Sequence, residues 1–123
     1  MKKFESSTAS SGDLVHEYIE IGLQQDDALL NDDTGRYNRL YREREAIDHE
    51  LRRRGTEARL HLTQLLTHPN PLVRFNAATD CLAVAPQEAR LVLEKMRDSR
   101  ISPYCLYAGM GLLRLDDRTY VPT

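Results

Sequence analysis

The residues of this chain that could do chemistry begin with two pairs of neighbouring aspartates. Asp26–Asp27 and Asp32–Asp33 could act as paired carboxylates or hold a magnesium ion. A magnesium site needs oxygen ligands that converge from more than one element, often together with a phosphate. No glycine-rich phosphate loop accompanies these acids, so we interpret both pairs as a solvated acidic helix end and turn.

Histidine, cysteine and hydroxyl side chains form no recognisable catalytic or metal-binding motif. No two of the four histidines lie four residues apart, and neither Cys81 nor Cys105 has a partner at ligand spacing. A nucleophile elbow and a Ser-x-x-Lys motif are both missing from the sequence. We therefore expect no enzymatic activity, no cofactor and no metal site, with a catalytic site dispersed over a helical scaffold as an alternative.

Charge is unevenly distributed along a chain whose net charge is only −2. Seven acids and no basic residue lie between Asp13 and Gly35, whereas eight arginines and five acids lie between Arg36 and Arg59. The arginines could bind nucleic acid, but they spread around a helix and acids lie among them, which is typical of a solvated surface. Because the chain lacks a basic excess, nucleic-acid binding is the second hypothesis.

Arg44 is the one charged residue on an apolar helical stripe. Leu40 and Ile47 lie on either side of it at three- and four-residue steps. An arginine in that position must reach solvent along its aliphatic stem or meet an acid. We predict an ion pair from Arg44 to Asp26 or Asp27 that holds the first helix against the second.

The elements that position these residues are all predicted to be helices. No alternating β-branched run and no hairpin signal occurs, whereas apolar residues recur at helical spacing. Prolines, glycines and capping side chains divide the chain into about six helices, and Gly55 is the expected terminator of the second. The predicted helix starts are Asp13, Thr34, Thr56, Asn70–Pro71, Pro86 and Ser102–Pro103.

The length of 123 residues predicts one domain. Residues 1–12 are polar and unpatterned and predict a flexible leader, residues 13–116 predict a single helical domain, and residues 117–123 predict a tail. No stretch is apolar enough to span a membrane, and no apolar segment follows the basic start as in a secretory signal. We therefore expect a cytoplasmic protein that does not bind membranes.

Residues thirty positions apart match in the second half of the chain, which indicates two successive helical hairpins of the kind found in stacked solenoids. The matched pairs are Leu62–Val92, Leu66–Met96, Ala78–Ala108 and Leu82–Leu112. The stretch LTQLLTHPNPLVRFNAATDCLA resembles a HEAT repeat, with paired leucines, a proline turn, then VR and two alanines. That family usually has an aspartate in the turn, where this chain has Asn70, while the arginine after the valine is present as Arg74.

The chain as a whole resembles a small bacterial HEAT-like family that is known only as a domain of unknown function. The shared features are the acidic first helix, YNRL at Tyr37 to Leu40, AIDHELRRR at Ala46 to Arg54, and HPNPLVRFNAA. The likeness covers roughly residues 13 to 115. It implies an all-helical repeat fold and no particular activity.

The architecture that we predict is all-α: a short right-handed α-solenoid of three HEAT- or armadillo-like helical hairpins. Such a stack presents one curved face that usually binds protein segments. The first functional hypothesis is a non-enzymatic interaction module, such as an accessory or immunity-type binder for another bacterial protein, with self-association left open. The predicted contact residues are Tyr37, Asn38, Arg42, Asn76, Asp80 and Tyr107.

Overall fold

The computed structural model of the protein describes residues 5–123. Within that range the chain forms six α-helices and one 3-10 helix and contains no strand, which confirms the all-α prediction. The helices are α1 (Ser11–Leu30), α2 (Thr34–Arg54), α3 (Thr56–Leu60), α4 (Pro71–Cys81), α5 (Pro86–Asp98) and α6 (Tyr104–Asp116), with the 3-10 helix at His61–Thr67 between α3 and α4.

The chain divides into two compact units, Met1–His61 and Leu62–Thr123. In the first unit the long helices α1 and α2 pack against each other, and the short α3 follows α2. In the second unit α4 packs on both α5 and α6, and α5 and α6 form a hairpin. Only five residues connect α5 to α6. A connection this short makes the two helices antiparallel neighbours.

The cores of both units follow the helical spacing of their apolar residues. In the first unit Tyr18 and Leu51 are fully buried, and in the second unit Leu72 and Ala78 are. Many core residues of the second unit are alanines, and their small side chains let neighbouring helices approach closely. The other core residues include Leu14, Ile21, Leu40 and Ile47 in the first unit and Leu62, Val73, Ala77, Ala89, Leu93, Ala108 and Leu112 in the second.

Local capping explains where most helices begin and end. The Asn70 side chain caps α4, since its Oδ1 accepts hydrogen bonds from the amides of Leu72 (2.9 Å) and Val73 (3.1 Å). Pro71 occupies the first position of that helix, where a missing N–H costs nothing. Gly55 ends α2 with φ of 110°, a backbone conformation that glycine adopts without strain.

The observed N-caps of α1 and α2 precede the predicted ones, by three residues and by one residue. Ser10 rather than Asp13 caps α1, because its Oγ accepts from the Asp13 amide at 3.1 Å and leaves the Asp13 carboxylate free to meet the positive end of the helix dipole. Asp33 rather than Thr34 caps α2, where its Oδ1 accepts from the Arg36 amide at 3.2 Å. A carboxylate is the stronger acceptor next to a helix start.

The third and sixth helices also differ from the prediction. The expected helix over residues 56–67 is an α-helix only as far as Leu60 and then tightens into the 3-10 helix. Leu62 and Leu65, three residues apart, lie on the same side of a 3-10 helix and are both buried. At α6, Pro103 is the N-cap residue and no side chain caps the helix, so the predicted Ser102 cap is wrong.

Candidate functional site

The six residues predicted to contact a partner do not share one kind of environment. Asn38 and Arg42 are exposed on α2, and Tyr37 is half-buried there. Asn76 and Asp80 lie on α4 with only 2% and 9% of their surface exposed, because α4 packs on two other helices. Little of either side chain is exposed in the folded chain, and contact of these two residues with a partner stays a prediction.

Tyr107 serves a packing role within the second unit. Its ring lies 6.0 Å from that of Phe75, centroid to centroid, at an interplanar angle of 44°. Tilted aromatic pairs at this separation attract each other beyond the apolar area that they bury. Tyr107 is half-buried and connects α6 to α4, so only part of its ring is available for a partner.

Arg44 lies on the buried side of α2, as its place on the apolar stripe predicts. It is 6% exposed, and its guanidinium carbon lies 4.9 Å from the centre of the Tyr41 ring, within cation–π range. Of its two predicted partners, Asp27 forms its ion pair with Arg36 instead, at 2.7 Å between Nη1 and Oδ2. The pair between Arg44 and Asp26 remains a prediction.

Carboxylates on α2 itself neutralise the arginines at its end. Arg52 pairs with Asp48 at 3.0 Å, and Arg53 and Arg54 both pair with Glu50, at 2.6 Å and 2.8 Å. The hydrogen bonds from Arg53 and then Arg54 lower the pKa of Glu50 from 4.5 to about 2. The three arginines in the last turn of α2 are therefore all paired with carboxylates of their own helix.

Arg54 also holds the segment that precedes α1. Its Nη1 donates to the hydroxyl of Ser11 (3.3 Å), and its Nη2 donates to the carbonyl oxygens of Ser6 (3.2 Å) and Ala9. Within the predicted flexible leader of residues 1–12, the backbone at Ser6 and Ala9 is thus bonded to the end of α2. Residues 1–4 of that predicted leader lie outside the described residues.

The outer side of α6 is the feature that residue-by-residue reasoning missed. Leu106, Met110 and Leu113 are 60%, 51% and 64% exposed. At about 100° per residue these three positions span only about 60° of the helix circumference, directly opposite the buried Ala108 and Leu112. We call the three residues the α6 outer face.

The near absence of charged residues in α6 is the sequence signal for this face. Between Tyr104 and Leu115 the helix has one charged residue, Arg114. A helix that is apolar around its whole circumference is normally covered on every side. Because the second unit covers one side of α6, the other side is left as an exposed apolar surface.

The neighbouring helix α5 shows what an ordinary solvated face looks like in the same unit. Its exposed side carries ion pairs, including Arg97 with Asp98 at 2.9 Å. Arg90 connects α5 to the end of α6 through two bonds to Asp116, at 2.9 Å and 3.2 Å. Those bonds lower the pKa of the Asp116 carboxyl. A single large apolar side chain, Leu91, is exposed on this helix.

Among residues 5–123, no group of three or more His, Cys, Asp or Glu side chains is arranged to hold a metal ion. Within the same range no helix combines the length and apolar character needed to cross a bilayer. Neither cysteine forms a disulfide; Cys81 is buried and Cys105 is half-buried.

Comparisons with known proteins give a family and a structural neighbour. The sequence model of a domain of unknown function, DUF2019, matches residues 12–116. The crystal structure of the protein RPA1889 from Rhodopseudomonas palustris CGA009 is similar over 98% of this chain and 100% of its own, with 39% sequence identity and a TM-score of 0.93. No curated protein matches the chain.

Proposed function

Because the chain belongs to the DUF2019 family, a domain of unknown function, we propose its role from its own residues: it is a non-enzymatic protein-interaction module. The observation that carries this proposal is the α6 outer face, where Leu106, Met110 and Leu113 are all more than half exposed on one side of a helix. Water does not stabilise such a surface, so a partner that covers it gains the free energy of burying it.

The chemistry of the face defines the partner. Three apolar side chains at steps of four and three residues match the spacing of an amphipathic helix on the other side. Helix-in-groove and helix-on-helix recognition uses such anchors at i, i+4 and i+7. The partner is therefore a protein that offers an amphipathic helix with an apolar stripe. With such a partner, the chain would act as an accessory or immunity-type binder in a bacterial cytoplasm.

The HEAT-like repeat is also part of the proposal. Two features support it: the Asn70–Pro71 start of α4 after a leucine-rich turn, and the α5–α6 hairpin with its short connection. Stacked helical hairpins bury one side of each helix and leave the terminal helix with an uncovered side. An apolar outer side on α6, the last helix, is the position where such a stack would accept another helix.

Nucleic-acid binding is the second hypothesis, and the ion pairs on α2 weaken it. Arg52, Arg53 and Arg54 already have carboxylate partners, and phosphate contacts need basic side chains that are free to exchange counterions. We expect the protein to pass through a heparin column at ordinary ionic strength. Retention with salt-dependent elution would favour the nucleic-acid hypothesis over the interaction module.

The test replaces the α6 outer face while keeping the helix. Leu106→Gln, Met110→Gln and Leu113→Gln are combined in one variant, since glutamine is a good helix former that removes apolar surface. The matched control is Leu91→Gln, which removes an exposed apolar side chain from α5 instead. Both proteins should melt close to the wild type in circular dichroism, because all four side chains are exposed.

Binding is measured in two steps. Tagged wild type captures its partner from an extract of the source organism, and calorimetry then measures the affinity of the purified partner for each variant. We expect the triple variant to weaken binding by about tenfold or more and Leu91→Gln to leave it nearly unchanged. Equal binding of all three proteins would place the interface elsewhere, and recovery of nucleic acid alone would refute the interaction module.

A further inference from the structure

A cleft of about 350 Å³ opens in the second unit, on a different side of α6 from its outer face. Its walls are largely apolar and include Leu66, Val92, Met96, Ile101 and Tyr104. A volume near this value is at the lower end of the range of known ligand pockets, and it is large enough for one bulky side chain and its neighbour. None of the three residues of the α6 outer face lines it.

Two cations, Arg74 and Lys95, line the same cleft, and no acidic residue does. Arg74 uses its Nη1 to donate to the carbonyl oxygens of His68 (2.8 Å) and Pro69 (3.0 Å). Those acceptors are neutral, so they orient the guanidinium without cancelling its charge. Within residues 5–123 neither cation has a carboxylate partner, in contrast to Arg90 and Arg97 on the outside of α5.

One edge of the cleft is a turn ordered by local hydrogen bonds. The Ser99 hydroxyl donates to the carbonyl oxygen of Met96 (2.7 Å) and accepts from the amide of Ile101 (3.2 Å). These bonds fix the turn after α5 and leave the Ile101 side chain 61% exposed beside the cleft. An apolar side chain that is held in position but uncovered can pack on a ligand at little cost in conformational entropy.

We propose that this cleft binds a segment of a partner protein in which a bulky apolar side chain stands next to a carboxylate. The apolar walls take the side chain, and the charges of Arg74 and Lys95 attract the carboxylate, which no acid of this chain provides there. Arg74, with its remaining N–H groups, can donate directly to a carboxylate oxygen.

An extended peptide fits the shape better than a free fatty acid does. The cleft is partly open to solvent, so it can cover a side chain of a peptide that runs across it. An acyl chain laid in the same cleft would keep much of its length in water, whereas most small-ligand pockets bury the larger part of the ligand. The proposal concerns a surface separate from the α6 outer face and does not depend on it.

The experiment is a nitrogen-15 NMR titration of the full chain with short acetylated, amidated peptides. The probe has the sequence Glu-Leu-Phe-Glu, and its matched controls are Gln-Leu-Phe-Gln, without charge, and Glu-Ala-Ala-Glu, without bulky side chains. We expect saturable shifts with the first peptide at the amides of Val92, Met96 and Ile101, with millimolar or tighter affinity. Both controls should bind at least several-fold more weakly.

Variants test whether the two cations that line the cleft, rather than the overall charge of the protein, bind the peptide. Lys95→Gln should weaken binding several-fold, and Arg74→Lys, which keeps the charge, should weaken it less than Arg74→Gln. The control is Arg114→Gln, which removes an exposed cation of the same unit that does not line the cleft. It should leave the affinity unchanged.

Three results would overturn the proposal. No saturable shift up to about 2 mM peptide would show that the cleft has no affinity for this chemistry. Equal binding of the charged and uncharged peptides would remove the role of the cations. Shifts at the same amides with octanoate, and none with the peptide, would make the cleft a site for small amphipathic carboxylates rather than for a protein segment.

Discussion

The two units of this protein use charge in opposite ways. The first unit buries charged groups, Arg44, Asp48 and Glu50 among them, and pairs the arginines at the end of α2 with its own carboxylates. The second unit has an alanine-rich core and leaves apolar side chains of α6 uncovered. The arginines in the last turn of α2 are thus engaged in ion pairs, and α6, with only two charged residues over thirteen positions, exposes the apolar side chains.

The same contrast holds within the second unit, between the two helices of one hairpin. The exposed side of α5 is covered by ion pairs, whereas the opposite helix exposes Leu106, Met110 and Leu113. Both helices bury a similar inward side against α4. The difference therefore reflects what each outer side faces, which is water for α5 and, by our proposal, a partner for α6.

The largest expected effect is a difference in the free energy of unfolding between substitutions on the buried and on the exposed side of α6. Leu112→Ala should lower the free energy of unfolding by about 2–5 kcal/mol, because Leu112 is fully enclosed and its truncation leaves a cavity. Leu113→Ala, one residue along and mostly exposed, should change it by less than about 0.5 kcal/mol. Urea unfolding measures both, and similar losses for the two variants would show that the outer face is already covered within the protein.

A smaller effect is expected at Arg44 in the first unit. Arg44→Ala should lower the free energy of unfolding by about 1–3 kcal/mol, since it removes a buried aliphatic stem and the contact of the guanidinium with Tyr41. Arg44→Leu should keep the fold, because it refills the apolar stripe. Thermal unfolding followed by circular dichroism is the measurement, and an Arg44→Ala protein that melts with the wild type would contradict the structural role.

The next effect concerns the start of α4. Asn70→Ala should cost about 1 kcal/mol, because the amides of Leu72 and Val73 lose their side-chain acceptor. Asn70→Asp keeps an oxygen in place and adds a negative charge at the helix start, so it should be neutral or slightly stabilising. The two variants are compared by urea unfolding, and a loss as large for aspartate as for alanine would argue against capping as the reason.

The smallest effect is a dependence on pH in the first unit. The pKa of Glu50 is about 2 in the folded chain and 4.5 when unperturbed, so its contribution is complete above pH 4.5 and is lost as the pH falls towards 2. Glu50→Gln removes this contribution. The stability gap between wild type and Glu50→Gln should therefore be widest near neutral pH and close in acid. A gap that is constant from pH 7 to pH 2.5 would contradict the pairing.

Local signals predicted most of the secondary structure. Asn70, Pro71 and Gly55 each act on the backbone next to them, so their effect is the same whatever packs around the helix. The N-cap residue is harder to predict where two capping side chains lie close together, as Ser10 and Asp13 do. The cap is then the side chain that reaches a free amide at the helix start, and for α1 this is Ser10. The tightening into a 3-10 helix after Leu60 had no local marker in the sequence.

Burial on the polar side of a helix was the part that local signals could not predict. Asn76 and Asp80 look like surface residues by type, and only the packing of α4 on two other helices buries them. Asp27 and Asp26 are neighbours of equal chemistry, and only the position of Arg36 gave Asp27 its ion pair. The cleft beside Arg74 and Lys95 likewise combines residues from α4, α5 and the turn after it.

The sequence by itself determined that this protein is all helical and where most of its helices begin and end. It did so because helical periodicity, capping and proline act over a few neighbouring residues. Only the tertiary structure decided which charges are paired, which polar residues are buried and which side of α6 is uncovered. Those outcomes depend on distances between side chains far apart in the chain, and they are set by how the helices pack.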